Sequence, residues 1–191
     1  MKIIVDTREQ HPLEFRKSKE VQGTVLKKLN VGDYSIEGYE HKIAIERKSP
    51  QDLFGTLGKG HKRFKREIER ALDYDYFAII VECPFTSILY KEFKGSHYSR
   101  MLGDVVIQIC CTLRMKYNID IIYTNNRAES ISYIRHLFRA YLKMKNKAGF
   151  KSLVEIGPEH QWILKLRNKL NIDNKRVKYG TNRNTKPVKK E

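Results

Sequence analysis

The chain runs to 191 residues and carries 38 Lys and Arg against 22 Asp and Glu, a net charge of +16 with a sequence pI near 9.7. That length suits one core domain plus a small appendage, and 40% hydrophobic residues suffice for a packed globule. The charge predicts a polyanionic partner, because each phosphate neutralised by Lys or Arg releases condensed counterions. No apolar run approaches the ~20 residues of a spanning helix and no signal-peptide core follows Met1 and Lys2. The expectation is a soluble intracellular protein with no membrane partner, cytoplasmic in a prokaryote or virus and nuclear in a eukaryote.

Read in chain order, Lys2 to Val5 is a short apolar run that predicts a buried first strand, and Val21 to Leu29 is expected to form a short helix. Tyr34 to Ile36 and Lys42 to Glu46 alternate as a strand pair turning through Gly38. Ser49-Pro50 signals a helix start, with serine as cap and proline in the first turn. Lys62 to Tyr74 reads as a basic helix whose apolar positions Phe64, Ile68, Ala71 and Leu72 follow helical spacing. Phe77 to Val81 is the near-continuous apolar run of a central strand. Leu102, Val105, Val106, Ile109, Cys110 and Leu113 recur at steps of three and four. After a strand at Asp120 to Tyr123, so do Ile131, Ile134, Phe138, Tyr141 and Leu142. Alternating strand and helix predicts an α/β fold in which these stripes cover a sheet.

Cys83, Cys110 and Cys111 are odd in number and lack C-x-x-C spacing, so neither zinc nor a disulfide framework is indicated. Cys110 and Cys111 fall in an apolar helical stretch, where buried reduced thiols are expected. The six histidines form no ligand pattern, although His61 lies among lysines and can touch phosphate.

The chemistry concentrates between Val31 and Leu57, in V-G-D-Y-S-I followed by H-K-I-A-I-E-R-K-S-P-Q-D-L-F-G-T-L. A phosphodiester repels hydroxide, so its hydrolysis needs a hard cation, held by carboxylate oxygens, that neutralises the phosphate and lowers the pKa of an attacking water. Asp33 and Glu46 are candidates to supply those oxygens. Lys48 lies two residues after Glu46, which in a strand points both side chains to one face. There its ammonium would orient water or stabilise charge on the transition state. Arg47 would point to the opposite face. Taken alone, the D…E-x-K pattern also recurs in charged chains, and Glu-Arg-Lys on an edge strand is ordinarily a solvated face.

Several motifs in order make the pattern more specific. Val5-Asp6-Thr7-Arg8-Glu9, Val31-Gly32-Asp33-Tyr34, Ile45-Glu46-Arg47-Lys48-Ser49 with Asp52-Leu53, Leu57-Gly58-Lys59-Gly60-His61-Lys62-Arg63-Phe64 and Phe77-Ala78-Ile79-Ile80-Val81-Glu82 resemble the signature of the XPF-type structure-specific endonucleases over roughly residues 1 to 145. The resemblance implies a restriction-endonuclease-like core, a central mixed sheet flanked by helices. It implies Asp33 and Glu46 as metal ligands with the backbone carbonyl of Arg47, Lys48 as the catalytic lysine, Asp6 as a further carboxylate and Asp52 as another at the start of the next helix. Mg²⁺ is the expected metal, with Mn²⁺ as the alternative. Arg8 would contact phosphate or form a structural ion pair, Glu9 would fit the pattern or pair with a nearby base, and Lys59, His61, Lys62 and Arg63 would meet the nucleic-acid backbone. For Arg8, Glu9 and Asp52 ordinary pairing or capping stands as the alternative.

The function implied is metal-dependent hydrolysis of branched or flapped DNA in repair, recombination or replication, by a homodimer or heterodimer joined through the helical stripes. The rival is a silent nucleic-acid-binding scaffold, since the family includes inactive partner subunits that lose acidic or lysine positions; this chain keeps Asp33, Glu46, Arg47 and Lys48. A basic RNA-binding protein would be expected to show exposed aromatic motifs for stacking, whereas Tyr and Phe here mostly follow core periodicity. No G-x-x-x-x-G-K-[ST] loop occurs, so no nucleotide cofactor is expected. The domains expected are a nuclease domain over residues 1–148 and a basic extension over 149–191, mainly helical or disordered. Residues 142–191 carry fourteen Lys and Arg against four acids. Gly157-Pro158 is the main break before Gly180, so the paired hairpin glycines of a tandem helix-hairpin-helix module are absent and a basic, partly ordered tail is favoured over a small helix-turn-helix.

Overall fold

A computed structural model describes residues 1–146; the expectations for the basic extension lie outside the described residues. Residues Met1–Met144 form one compact unit. Its strands are β1 (Lys2–Val5), β2 (Gly23–Leu26), β3 (Tyr34–Ile36), β4 (Ile43–Lys48), β5 (Tyr76–Val81) and β6 (Asp120–Tyr123). Its α-helices are α1 (Pro50–Leu57), α2 (His61–Ala71), α3 (Phe85–Leu89), α4 (Gly103–Tyr117) and α5 (Arg127–Lys145), with a 3₁₀ turn at Ser96–Tyr98 between α3 and α4.

The strands join in one sheet in the order β2-β1-β3-β4-β5-β6. Pairing is parallel for β1 with β2, β4 with β5 and β5 with β6, and antiparallel for β3 with both β1 and β4. Strand β3 alone runs against the other five. Its N-terminal end therefore lies at the same margin of the sheet as the C-terminal ends of its neighbours.

Period-two alternation divides the core between the two faces of the sheet. Ala44, Phe77, Ile79 and Val81 join one cluster with Leu53, Phe54 and Leu57 of α1, Phe64 and Ile68 of α2, and Val106 and Cys110 of α4. Ile43, Ile45, Ala78 and Ile80 join the other with Ile3, Val5, Tyr34 and Ile36, closed by Ile134, Phe138 and Tyr141 of α5. This is the mixed sheet with flanking helices that the sequence implies. None of the helices among the described residues is long and apolar enough to cross a membrane.

Two elements differ from expectation. Val21 to Leu29 is not a helix: Gly23–Leu26 forms edge strand β2 beside β1. Gly23 and the β-branched Thr24 and Val25 disfavour a helix, and the strand's flanks bond to β1 through Gln22 N–H to Met1 O (2.8 Å) and Lys27 N–H to Val5 O (3.0 Å). The segment between β1 and β2 is a loop without a helix, anchored by buried Leu13 and Phe15 and by the Leu13 N–H donating to the Tyr34 hydroxyl at 2.9 Å. The short α3 was not foreseen. Cys110 is a buried free thiol, as is Cys83, whereas Cys111 on the same helix is exposed.

Candidate active site

The shared strand margin gathers the charged residues. Asp6 follows β1, Asp33 precedes β3, Glu46 and Lys48 end β4, and Glu82 follows β5. Backbone bonds fix the junction: Asp6 N–H donates to Asp33 O (2.8 Å) and Asp33 N–H to Ile45 O (2.9 Å). Glycine is needed at position 32, where φ is +73° and a Cβ would lie 3.0 Å from Ile45 O. The tight V-G-D-Y turn is thus what sets Asp33 against β4.

A cavity of about 340 Å³ opens there, lined by Asp33, Glu46, Lys48, Asp6, Arg8 and Glu9 and extending to Arg47, Asp52 and Arg63. Of the sequence-derived site residues, Lys59, His61 and Lys62 lie outside it. Lys59 faces a neighbouring groove, His61 an apolar cleft between α2 and α4, and Lys62 is exposed. The cavity has members that sequence reasoning did not select: Glu67 and Arg70 on α2. With Arg63 they form an i, i+4, i+7 polar stripe beside the apolar Phe64, Ile68 and Ala71, which is the pattern that could have found them.

Glu46 and Lys48 share one face, and the Lys48 ammonium donates to Glu46 Oε1 at 2.5 Å. Asp33 accepts the Arg47 N–H on Oδ2 at 2.8 Å. Glu67 accepts the Gly32 N–H at 3.3 Å. Burial, then the charge of Asp33, pushes the Glu46 carboxyl above the ordinary range. Burial also raises Asp33, against the Arg47 N–H and with added repulsion from Glu9. Burial would lower the Lys48 ammonium, but the adjacent charge of Glu46 outweighs it and Lys48 is held protonated above its usual value. Two carboxylates driven toward protonation beside one ammonium make a seat that a further cation would relieve.

Asp6 is occupied differently. It is almost fully buried, and it accepts bonds from Arg8 N, Nε and Nη2 and from Leu29 N–H, at 2.6 to 2.9 Å. Burial opposes its ionisation, but these donors prevail and hold its carboxyl below the usual range. Asp6 therefore anchors Arg8, which also donates to Leu29 O, and the turn after β2. Asp52 pairs with the α1 cap: Ser49 Oγ donates to Asp52 Oδ2 (2.6 Å) and accepts the Asp52 N–H (3.1 Å). It also lines the cavity, so cap and site meet in one residue.

Arg47 takes the opposite face, as strand alternation requires. Its guanidinium donates to Glu9 Oε1 (2.9 Å) and Oε2 (3.2 Å) and to Glu82 Oε2 (2.9 Å). Burial would lower it, but the bonds and charges of Glu9 and Glu82 raise it. Arg127 of α5 adds a contact to Glu82 at 3.7 Å and donates to His11 O and Pro12 O. The network ties the loop after β1, the ends of β4 and β5, and α5 together, and its Glu9 and Arg47 close one side of the cavity.

Comparison with known proteins gives the same direction. A family model for the ERCC4 domain matches residues 5–137. No curated protein matches the chain. XPF from Aeropyrum pernix is 23% identical with a TM-score of 0.54, over 74% of this chain and 61% of that one. XPF from Aeropyrum pernix in complex with DNA is 25% identical with a TM-score of 0.53, over 74% of this chain and 65% of that one. The chain thus spans less than two thirds of the length of either structure.

Proposed function

We propose that this chain, which belongs to the XPF-type nuclease family defined by the ERCC4 domain, is a metal-dependent endonuclease that hydrolyses phosphodiester bonds in branched or flapped DNA. The observation that carries the reading is the convergence of Asp33, Glu46 and Lys48 in one cavity, with both carboxyls raised by burial, Glu46 further by the charge of Asp33 and Asp33 further by that of Glu9. The known complex of an XPF with DNA and the net charge of +16 support DNA as the ligand.

The donor set fits a hard cation that keeps much of its water. Among the described residues no group of three or more His, Cys, Asp and Glu side chains could hold a metal ion, so the protein ligands would be the two carboxylates and a backbone oxygen. Mg²⁺, or Mn²⁺ in its place, suits such a sparse oxygen set because it retains several waters and takes further oxygens from phosphate. The Arg47 N–H faces Asp33, and a strand residue turns its carbonyl to the same side as its N–H. This supports the Arg47 carbonyl as the third ligand. When bound, the metal would neutralise the scissile phosphate and lower the pKa of the attacking water.

The side chains do the rest. Arg63 and Arg8 border the cavity and would hold backbone phosphates flanking the scissile bond. Lys48, kept protonated by Glu46, places a fixed positive charge where charge develops on the phosphate oxygens. The Arg47 network supplies no contact to DNA in this reading; it holds β4 still while the opposite face works. A dimer through α4 and α5 is part of the proposal. It is supported by the exposed Leu102 before α4, Val105 and Met115 on it, and Tyr133 and Met144 on α5. Light scattering should give a dimer mass, and Val105→Glu a monomer; a wild-type monomer at micromolar concentration would count against the dimer.

The deciding assay compares matched duplex, flap, fork and four-way DNA with and without Mg²⁺. Cleavage confined to branched substrates and abolished by chelation is the expected result. Binding to branched DNA without any cleavage would replace the endonuclease by a silent scaffold.

A further inference from the structure

Beside the carboxylate cavity two further concavities continue along α1. The first, about 330 Å³, shares Lys48, Asp52, Arg63 and Glu67 with the cavity and reaches Gln51 and Gly55. The second, about 670 Å³, begins at Gln51 and Gly55 and ends among Lys59, Phe93, Tyr98 and Arg100. Shared lining residues make the three one continuous tract. Among the described residues, none that line its outer part is acidic.

The outer wall is a loop fixed in place before anything binds. Phe93 packs on Phe54 with ring centroids 5.1 Å apart, the Gln51 amide donates to Lys94 O, and the Lys91 ammonium donates to Ser99 O at 2.6 Å. On it Tyr98 is 86% exposed and lies against His97, centroids 4.1 Å apart. Tyr98 ends a three-residue 3₁₀ turn, Ser96–Tyr98, that buries none of its residues, so its ring serves no core. The floor is equally unusual. Gly55 sits inside the eight-residue α1, where glycine weakens a helix, yet among the described residues nothing lies within 4 Å of the place its Cβ would take. No neighbour demands a glycine there, and a larger side chain at this lining position would take up space in the tract.

We infer that this tract is a binding groove for the unpaired DNA strand adjoining the cleavage site, with Tyr98, backed by the His97 ring, as a stacking platform and Lys59 and Arg100 as phosphate contacts. An exposed aromatic beside basic residues and no acids is the combination that grips single strands without regard to sequence, since every base has a face to stack and every linkage a charge. A duplex keeps its bases stacked inside and offers the platform nothing. The groove rests on the endonuclease reading for its register with the scissile bond, but not for its affinity.

The test uses the full chain, with fluorescein-labelled oligothymidylate and a blunt duplex as probes in anisotropy titrations. Tyr98→Ala should weaken oligothymidylate binding roughly tenfold while leaving duplex binding unchanged, and Tyr98→Phe should restore it. Gly55→Leu, which fills the floor with a good helix former, should give the same selective loss without lowering the Tm. Photo-crosslinking with 4-thiothymidine should map to the loop of residues 93–100. Unchanged oligothymidylate affinity in both Tyr98→Ala and Gly55→Leu would overturn the inference and leave the groove to a protein partner; equal weakening for duplex would overturn the stacking role. Selective loss in a protein that cuts no branched DNA would uphold the groove while the endonuclease reading falls.

Discussion

Two faces of the same strand end behave in opposite ways. On one, Arg47 is enclosed by Glu9 and Glu82 with Arg127 behind, two acids against two bases, and the side chains of Arg47, Glu9 and Glu82 are 8%, 6% and 10% exposed. On the other, Asp33, Glu46 and Glu67 surround Lys48 with three acids to one ammonium, and the two acids nearest it are raised toward protonation. The first arrangement is complete without a ligand. The second sets the Asp33 and Glu46 carboxyls against one ammonium and opens into a cavity. Adjacent residues in E-R-K thus separate a closed ion network from a cavity-lining pair through nothing more than the period of a strand.

On that division, the largest stability effect lies on the enclosed face. Arg47→Met should cost about 3–5 kcal/mol, because it leaves Glu9 and Glu82 buried without their shared partner. Urea unfolding would register it, and a loss below about 1 kcal/mol would show that the network is not structural. One oxygen of Glu82 is already buried without a hydrogen-bond partner, which leaves little there to compensate.

On the cavity face the effect should fall on rate instead. Glu46→Gln and Asp33→Asn should each lower cleavage by at least about a hundredfold, roughly 2.7 kcal/mol in the barrier. Stability should hold or rise, since a buried repulsion is removed, and binding to branched DNA should persist. Lys48→Ala should act likewise on rate. Wild-type cutting by any two of these variants would reverse the assignment of the faces.

A smaller effect sharpens the boundary between them. Ser49→Ala should destabilise by about 1 kcal/mol through loss of the α1 cap. Asp52→Asn retains a side-chain acceptor for Ser49 and should cost less than that. If Asp52→Asn also leaves cleavage intact, Asp52 belongs with the cap; a large fall in cleavage at unchanged stability would place it with Asp33 and Glu46.

Much of this was legible in the sequence where periodicity is strong. The run Phe77 to Val81 and the stripes through Val106 and Cys110 and through Ile134 and Phe138 are elements whose pattern burial itself imposes. Spacing alone placed Glu46 and Lys48 together and Arg47 behind them. Edge strand β2 was not legible, because its hydrogen bonds to β1 and not its half-exposed side chains decide its conformation. Glu67 was hidden for another reason: it reaches Asp33's turn from a helix more than thirty residues away in sequence, a closeness only the packed sheet creates. Tyr98 was not legible because it ends a three-residue 3₁₀ turn, too short to show a period that would separate it from the core aromatics.

The most direct measurement is a Mn²⁺ titration followed by electron paramagnetic resonance, on the wild-type chain and on Glu46→Gln, in the absence of DNA. The cavity face as described should bind Mn²⁺ in the wild type and lose at least about tenfold in affinity in Glu46→Gln, as expected when one of two carboxylate ligands is removed. Equal binding by both proteins, or binding by neither, would contradict the assignment of a metal to this face.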